Sequence, residues 1–233
     1  RNARDAVQII CREVKAMRAV RIWFTKTGSA KFISHLDLMR YMTRELRKTG
    51  LDIYYTQGYN PRMHMVFALS LPLGVQGLNE CFDIKLLGSE TNEQVSACLK
   101  SISSSEIVFT GISDPVHYPA EIKYAQYSVQ FSPCKEELKN HIMSALTAQS
   151  LFCVKKNKKG FEKQLNLTEY VSNLSIDDSG QDFLLSFILP AGNIDNINPF
   201  LFLETLLKGS GQNISSANVV RKRLLIDKIK NYT

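Results

Sequence analysis

The sequence predicts an α+β protein made of two ferredoxin-like halves in tandem, with antiparallel sheets and helices on one face. Short β-branched and aromatic runs alternate with amphipathic segments, and the order β-α-β-β-α-β occurs twice along the chain. Two prolines and a loss of hydrophobic periodicity separate the two copies at residues 115–120. We therefore predict a first domain at 17–114, which carries the main motif, a linker at 115–120 and a second domain at 121–233.

The first half opens with a β-branched and aromatic run at residues 19–25, which is typical of a strand. A helix follows, because Ser34 is a good N-cap, Asp37 stands three residues later as in a capping box, and Gly50 supplies the stop. The remaining elements of this half are predicted as strands at 51–55, 63–71 and 80–87, a helix at 91–99 and a strand at 106–112.

The second half repeats this order with one additional hairpin. Residues 1–16, which lack an initiator Met, predict a short amphipathic helix and are interpreted as an N-terminal extension, a remnant of cloning or the tail of an upstream domain. The elements of the second half are predicted as strands at 124–131, 151–154, 164–174, 183–189 and 217–226 and helices at 135–148 and 199–208.

Composition favours an anionic partner without proving one. Lys and Arg outnumber Asp and Glu 29 to 22, which gives a formal net charge of +7. The basic residues concentrate in three clusters, and one surface shared by all three is a hypothesis. These clusters are Arg40, Arg44, Arg47 and Lys48; Lys155, Lys156, Lys158, Lys159 and Lys163; and Arg221, Lys222 and Arg223.

Metal binding and membrane insertion are not expected. The five cysteines are scattered without the local spacing of a zinc or iron–sulfur site, so we predict reduced, buried thiols and no metal or other cofactor in this chain. No apolar run has the length of a membrane span, and no signal segment opens the chain, so a cytoplasmic protein without a membrane partner is predicted.

Residues 33–83 hold the densest set of polar groups in the chain. His35 begins the first helix, where an imidazole titrates near neutral pH and faces the positive helix end, so it is the candidate catalytic acid or base. Ser34 and Asp37 are interpreted mainly as capping support. Arg40 and Arg44 lie opposite the apolar face of the helix, as phosphate ligands or as an ordinary solvated face.

The turn at residues 57–62 is the stronger candidate for nucleic-acid binding. It presents hydrogen-bond donors beside an aromatic ring, which suits a phosphate or a base edge. Glu80 and Asp83 stand three apart on a strand and point to opposite faces, so they do not form an acid–base dyad. Both are predicted as polar support, and either one is a candidate partner for Arg62 of the turn. The candidate ligands in the turn are Gln57, Tyr59, Asn60 and Arg62.

Two segments of the first half resemble a bacterial family of radical SAM-linked (radical SAM-associated) proteins of unknown function. The segments are VRIWFTKTGSAKFISHLDLMRYMTRELRKTGL and TQGYNPRMHMVFALSLPLGVQGLNECFDIKL. Members of that family stand beside, or fused behind, a radical SAM protein. The resemblance therefore implies a radical SAM partner, which would hold the iron–sulfur cluster and S-adenosylmethionine. At the level of fold, the predicted halves are similar to RNA-processing proteins such as CRISPR endoribonucleases and some pseudouridine synthases, which is analogy only.

These observations leave three hypotheses. The first is an RNA-binding or substrate-presenting accessory protein that works with a radical SAM enzyme in tRNA or rRNA modification, where Arg40, Arg44, Arg62 and the mid-chain lysines neutralise phosphates. The second is a metal-independent endoribonuclease in which His35 takes a proton from a ribose 2′-hydroxyl. The third is a scaffold that binds only the radical SAM protein. The chain has no P-loop, dinucleotide-binding, nucleophile-elbow or His-Glu-x-x-His motif, so independent enzymatic activity is not favoured.

Overall fold

The computed structural model describes residues 17–131, 136–148, 151–156, 162–178, 183–192, 194–212, 214 and 217–233. In this part of the chain an eight-stranded, mainly antiparallel sheet combines with a two-stranded sheet and four α-helices. The predicted α+β class is confirmed. The helix predicted within 1–16 and most of the lysine-rich connection lie outside the described residues.

The elements follow the predicted order except at 164–174, where the prediction of one strand is wrong because a 3-10 helix at Leu167–Glu169 divides the segment into two strands. The first half contains β1 (Arg18–Lys26), α1 (His35–Lys48), β2 (Met65–Phe67), β3 (Gln76–Leu86), α2 (Asn92–Ser101) and β4 (Ile107–Ser113). The second half contains β5 (Tyr124–Phe131), α3 (Glu136–Thr147), β6 (Phe152–Lys156), β7 (Glu162–Asn166), β8 (Ser172–Asp178), β9 (Phe183–Pro190), α4 (Pro199–Leu206) and β10 (Asn218–Leu225).

Both halves contribute to one sheet. Its strand order is β4-β1-β3-β10-β5-β9-β8, and β2 pairs with β3 off this path. The pairs within each half are antiparallel, whereas β3 and β10 are parallel, with Val220 opposite Gln76 and Arg221 opposite Gly77. The sequence predicts a sheet for each half, and the structure joins the two sheets edge to edge at this junction.

Two predicted strands of the first half are shorter than expected. Residues 51–55 form only isolated bridges, from Ile53 to Leu86 and from Tyr55 to Met63, so their pairing alternates between two segments and no continuous ladder forms. Residues 63–71 contribute only β2, because the chain leaves the edge of β3 after Ala68 donates its N–H to the carbonyl of Cys81. Beyond that point β10 occupies the same edge.

The apolar interior crosses the junction between the halves. One buried cluster packs α1 and α2 onto β1 and β3, with Leu38, Met42 and Leu46 of α1 at most 3% exposed. The second cluster joins residues of α3, α4 and β9 to Leu71 and Cys81 of the first half. The shared interior stabilises the halves against each other, while the predicted domain boundaries stay predictions. No helix within the described ranges has both the length and the apolar character needed to cross a membrane.

Candidate functional site

The first turn of α1 is a hydrogen-bonded cap. Ser34 Oγ accepts a hydrogen bond from the backbone N–H of Asp37 at 3.2 Å and donates one to Asp37 Oδ2 at 2.7 Å. Arg40 donates to the other carboxylate oxygen of Asp37 at 2.9 Å. The hydrogen bonds from Ser34 and then Arg40 lower the pKa of Asp37. Asp37 is therefore an ionised capping group that already has partners.

His35 is half-buried at the start of α1, with its ring edge-on to Phe67 at a centroid distance of 5.0 Å. Burial lowers the pKa of His35, and the positive charges of Lys26 and Arg221 lower it further. Lys26 is 1% exposed, and its Nζ donates to the carbonyl of Ile33 at 2.7 Å. His35 is thus a neutral imidazole at pH 7, next to two cationic side chains.

The shifted pKa of His35 predicts acid sensitivity. The unfolded chain takes up a proton at the ordinary value of 6.5, whereas folded His35 takes it up at lower pH. The unfolding free energy should therefore fall as the pH drops through about 6.5, because the unfolded state binds more protons there. Urea unfolding at about pH 7.5 and about pH 5.5, roughly one unit on each side of that value, measures this pH dependence. The comparison is with His35→Gln, which keeps the other histidines. Equal pH dependence in both proteins would contradict the assignment.

The exposed side of α1 combines cations with aromatic rings. The side chains of Arg40 and Arg44 are 70% and 68% exposed. Arg44 donates to Glu45 at 3.1 Å and lies over the ring of Tyr41 at 5.5 Å. Glu45 also accepts from Lys48 at 2.6 Å, and these hydrogen bonds, from Lys48 first, lower its pKa. Arg47 and Tyr55 extend this surface. We call it the arginine face; its residues are Arg40, Tyr41, Arg44, Arg47 and Tyr55.

Arg47 connects α1 to the 57–62 turn. Its Nε donates to the hydroxyl of Tyr55 at 3.1 Å, and its guanidinium lies over the same ring at 5.8 Å. Tyr55 stands at the base of the turn, where it bridges to Met63. The C-terminal end of α1 and the turn are therefore parts of one surface.

The turn itself is a closed hairpin tip. The N–H of Thr56 donates to the carbonyl of Arg62 at 2.8 Å, and the N–H of Arg62 donates to Thr56 Oγ1 at 3.1 Å. All residues from 57 to 62 are exposed, and Tyr59 is 99% exposed. Gly58 has a φ of 136°, which favours glycine at this position. The polar side chains of the tip extend from a backbone that local hydrogen bonds hold in place.

His35 and the turn lie at different ends of α1. His35 contacts Phe67, and the five residue-to-residue steps from Arg62 to Phe67 span about 16 Å at roughly 3.3 Å per extended step. The turn instead approaches the helix at Arg47, twelve residues after His35. The structure therefore unites the turn with the arginine face, and it does not place His35 beside them.

Glu80 forms a buried ion pair with Arg221. Arg221 is 1% exposed and Glu80 is 3% exposed, and Arg221 Nε donates to Glu80 Oε1 at 2.9 Å. Two further donors of Arg221 reach the carbonyls of Leu69 at 3.0 Å and Ser70 at 3.1 Å. Burial opposes the charged guanidinium, but Glu80 outweighs burial and raises the pKa of Arg221. The pair ties β10 to β3, so Arg221 does not contribute to a basic surface shared by the three clusters.

Asp83 pairs with Arg21 on the other side of the sheet. Arg21 Nε and Nη2 donate to the two oxygens of Asp83 at 2.7 and 2.9 Å, and Nη2 also donates to the carbonyl of His117 at 2.8 Å. The guanidinium lies over the ring of Tyr232 at 4.3 Å. Neither carboxylate of β3 pairs with Arg62. The sequence offers a signal for Arg21, because the apolar residues at 20, 22 and 24 alternate with it along β1.

Thiols and other potential metal ligands form no centre in the described part. Cys81, Cys98 and Cys153 are free, and burial raises the pKa of the Cys81 thiol to about 12. No group of three His, Cys, Asp or Glu side chains among the described residues has metal-binding geometry. Cys11 and Cys134, and the side chains of the mid-chain lysines, lie outside what the structure describes.

The family model described as an uncharacterized protein conserved in bacteria (DUF2344) matches residues 19–199. The chain belongs to this family. The match includes β1 from Ala19 onward, α1, the 57–62 turn and both carboxylates of β3, and so covers every residue of the arginine face. It ends before β10, which supplies Arg221.

Similar solved structures are distant in sequence. A chain from the crystal structure of a Cbf5-Nop10-Gar1 complex is 10% identical with a TM-score of 0.45, and the match covers 88% of this chain and 48% of that chain. The present chain therefore spans about half the length of that protein. An unknown protein from Galdieria sulphuraria is 7% identical with a TM-score of 0.26, over 87% of this chain and 96% of that one. No curated protein matches the chain significantly.

Proposed function

We propose that this protein binds RNA through the arginine face and the 57–62 turn, as an accessory or substrate-presenting partner of a radical SAM enzyme in RNA modification. One observation carries the proposal: Arg47 bonds to Tyr55, the residue at the base of the turn. This contact makes the cations of α1 continuous with the donors and the aromatic ring of the hairpin tip. Proteins that bind single-stranded RNA combine a row of cations along the RNA backbone with exposed aromatic rings on which the bases stack.

The ion pairs on α1 do not prevent phosphate binding. Exposed pairs such as Arg40 with Asp37 are worth at most about 1 kcal/mol, so a phosphate can replace the carboxylate at little cost. At the tip, Tyr59 offers a fully accessible ring, and stacking contributes roughly 1–3 kcal/mol per base. Asn60 and Gln57 are exposed beside it and supply amide donors and acceptors.

The two further parts of the proposal have different support. A radical SAM partner is inferred from the sequence resemblance of the two N-terminal segments alone. The assignment of two ferredoxin-like halves is supported by strand order, since β4-β1-β3 with β2 on β3 recurs as β10-β5-β9-β8. On this interpretation the β6–β7 hairpin is the additional element of the second half.

Arg62→Ala is expected to weaken RNA binding about tenfold, because one charge-assisted phosphate contact is lost. The slope of log affinity against log salt should fall by about 0.7, the value for one phosphate of a single strand. Fluorescence anisotropy with labelled bulk tRNA and an unstructured RNA, from about 50 to 200 mM salt, measures both quantities.

Lys100→Ala is the matched control, since Lys100 is an exposed cation on α2 outside the proposed surface. It should change the affinity less than twofold. Absence of RNA binding at the lowest salt, or equal losses in the two variants, would refute RNA binding through this surface. Co-purification with the radical SAM protein that survives Arg62→Ala while RNA binding is absent would favour the scaffold hypothesis instead.

A further inference from the structure

A second candidate site lies on the face of the sheet opposite α1. A cavity of about 330 Å³ opens there at the junction of β1, β3 and β10. This volume falls at the lower end of the range for small-molecule sites. We call it the junction cavity; it is lined by Trp23, Asn79, Arg223, Leu224, Asn231, Tyr232 and Thr233.

A β-bulge in β10 directs a cation to the junction cavity. Residues two apart on a regular strand share a face, but Arg221 lies opposite Tyr127 whereas Arg223 lies opposite Gln126, the preceding residue of β5. Arg221 is therefore buried on the helix side against Glu80, and Arg223 is exposed on the other side. Bulges of this kind commonly redirect a side chain at a functional site.

The donors on the cavity wall are arranged by neighbouring strands. Arg223 Nε donates to Gln126 Oε1 at 2.6 Å, which orients the guanidinium and leaves its two terminal nitrogens for a ligand. Asn79 of β3 donates to the carbonyl of Lys222 at 2.8 Å, so its amide oxygen remains as an acceptor. Together they present a cation and an amide at one side of the cavity.

The aromatic walls are rigid before any ligand binds. Tyr232 is 3% exposed, its N–H donates to the carbonyl of Leu224 at 3.0 Å, and Arg21 stacks on its ring. Its buried hydroxyl has no hydrogen-bond partner among the described residues. The half-buried indole of Trp23 is fixed by a hydrogen bond from Nε1 to Ser113 Oγ at 2.9 Å. Such preorganisation reduces the entropy lost when a planar ligand binds.

We propose that the junction cavity binds one nucleotide, with its base against Trp23 and with Arg223 holding a phosphate or a carbonyl of the base. A flat ring, an oriented guanidinium and a neighbouring amide suit this ligand because it combines a π-face, an anionic group and hydrogen-bonding edges. The site is separate from the arginine face. A free nucleotide and one nucleotide of an RNA strand share this chemistry.

Trp23 is the only tryptophan of the chain, so its fluorescence reports on the junction cavity directly. The full chain is titrated with AMP, GMP, CMP and UMP, and separately with an RNA oligonucleotide of mixed sequence. Saturable quenching is expected with at least one of these probes. Quenching by a mononucleotide identifies a free-nucleotide site, and quenching by the oligonucleotide alone identifies a subsite for an RNA strand.

Arg223→Ala is expected to raise the apparent dissociation constant about tenfold, because a charge-assisted hydrogen bond is lost, while Arg223→Lys recovers part of the affinity. Lys100→Ala is the control and should leave quenching unchanged. Arg223 is exposed, and circular dichroism verifies that the variants fold. No saturable quenching by any probe, or an unchanged constant in Arg223→Ala, would overturn the proposal. Arg62→Ala affects RNA anisotropy without affecting mononucleotide quenching, so failure of either site is distinguishable.

Discussion

Replacing Glu80 by leucine is expected to lower the unfolding free energy by about 3–5 kcal/mol, because the change leaves Arg221 charged and unpaired in the interior. Arg221 is 1% exposed and holds the carbonyls of Leu69 and Ser70 as well as Glu80. The remaining carbonyl contacts do not neutralise its charge. Urea unfolding followed by circular dichroism measures the loss, provided the transition stays two-state.

The double variant Glu80→Leu/Arg221→Met separates an unpaired charge from a general packing defect. It removes the isolated cation but leaves the two carbonyls without their donors. We therefore expect it to be about 2 kcal/mol more stable than Glu80→Leu alone. A double variant that is less stable than the single one would show that the unpaired charge of Arg221 does not cause the loss, contrary to this expectation.

The second large effect is expected for Arg21→Met, with a loss of about 2–4 kcal/mol. Arg21 is fully buried, and its removal takes away a two-point contact to Asp83, a bond to the carbonyl of His117 and the ring contact with Tyr232. Asp83 is 20% exposed, so water partly compensates for the lost partner and the effect is smaller than for Glu80.

Arg18→Met is the matched control on the same strand. Arg18 is half-buried and hydrogen-bonds to Asn92 at 2.6 Å and to the carbonyl of Glu90 at 2.9 Å, so a loss of about 1 kcal/mol is expected, smaller than that for Arg21. Equal losses of unfolding free energy in Arg21→Met and Arg18→Met would contradict a special role for the pair of Arg21 with Asp83. Arg21→Met should also weaken nucleotide quenching of Trp23, because Tyr232 loses the guanidinium that stacks on it.

Local features of the first half were predictable because they depend on neighbouring residues. Ser34 and Asp37 form the cap expected from their spacing, and Leu38, Met42 and Leu46 are buried as the 3.6-residue periodicity indicates. The strands predicted at 51–55 and 63–71 are the exceptions, and 51–55 departs furthest from the prediction. Its composition is typical of a strand, but whether a ladder forms depends on which partner is available along its length.

For the candidate site as well, the sequence identifies the residues, and only the tertiary structure shows which of them lie together. The polar tip at 57–62 and the arginines of α1 are visible in the sequence, yet only the contact between Arg47 and Tyr55 shows that they share a surface. The spacing of Glu80 and Asp83 correctly places them on opposite faces, but not with their partners. Those partners lie 141 and 62 residues away along the chain.

The sequence by itself determined the α+β class, most of the order of elements and the exposed cations and polar groups of the candidate surface, since periodicity, capping and turn chemistry operate over a few residues. Tertiary structure alone decided the pairing of β3 with β10, the burial of Arg221 and the bulge that exposes Arg223. These features depend on which distant strand takes a free sheet edge. The packing of the whole interior decides which strand takes that edge, and a sequence pattern over a few residues does not show it.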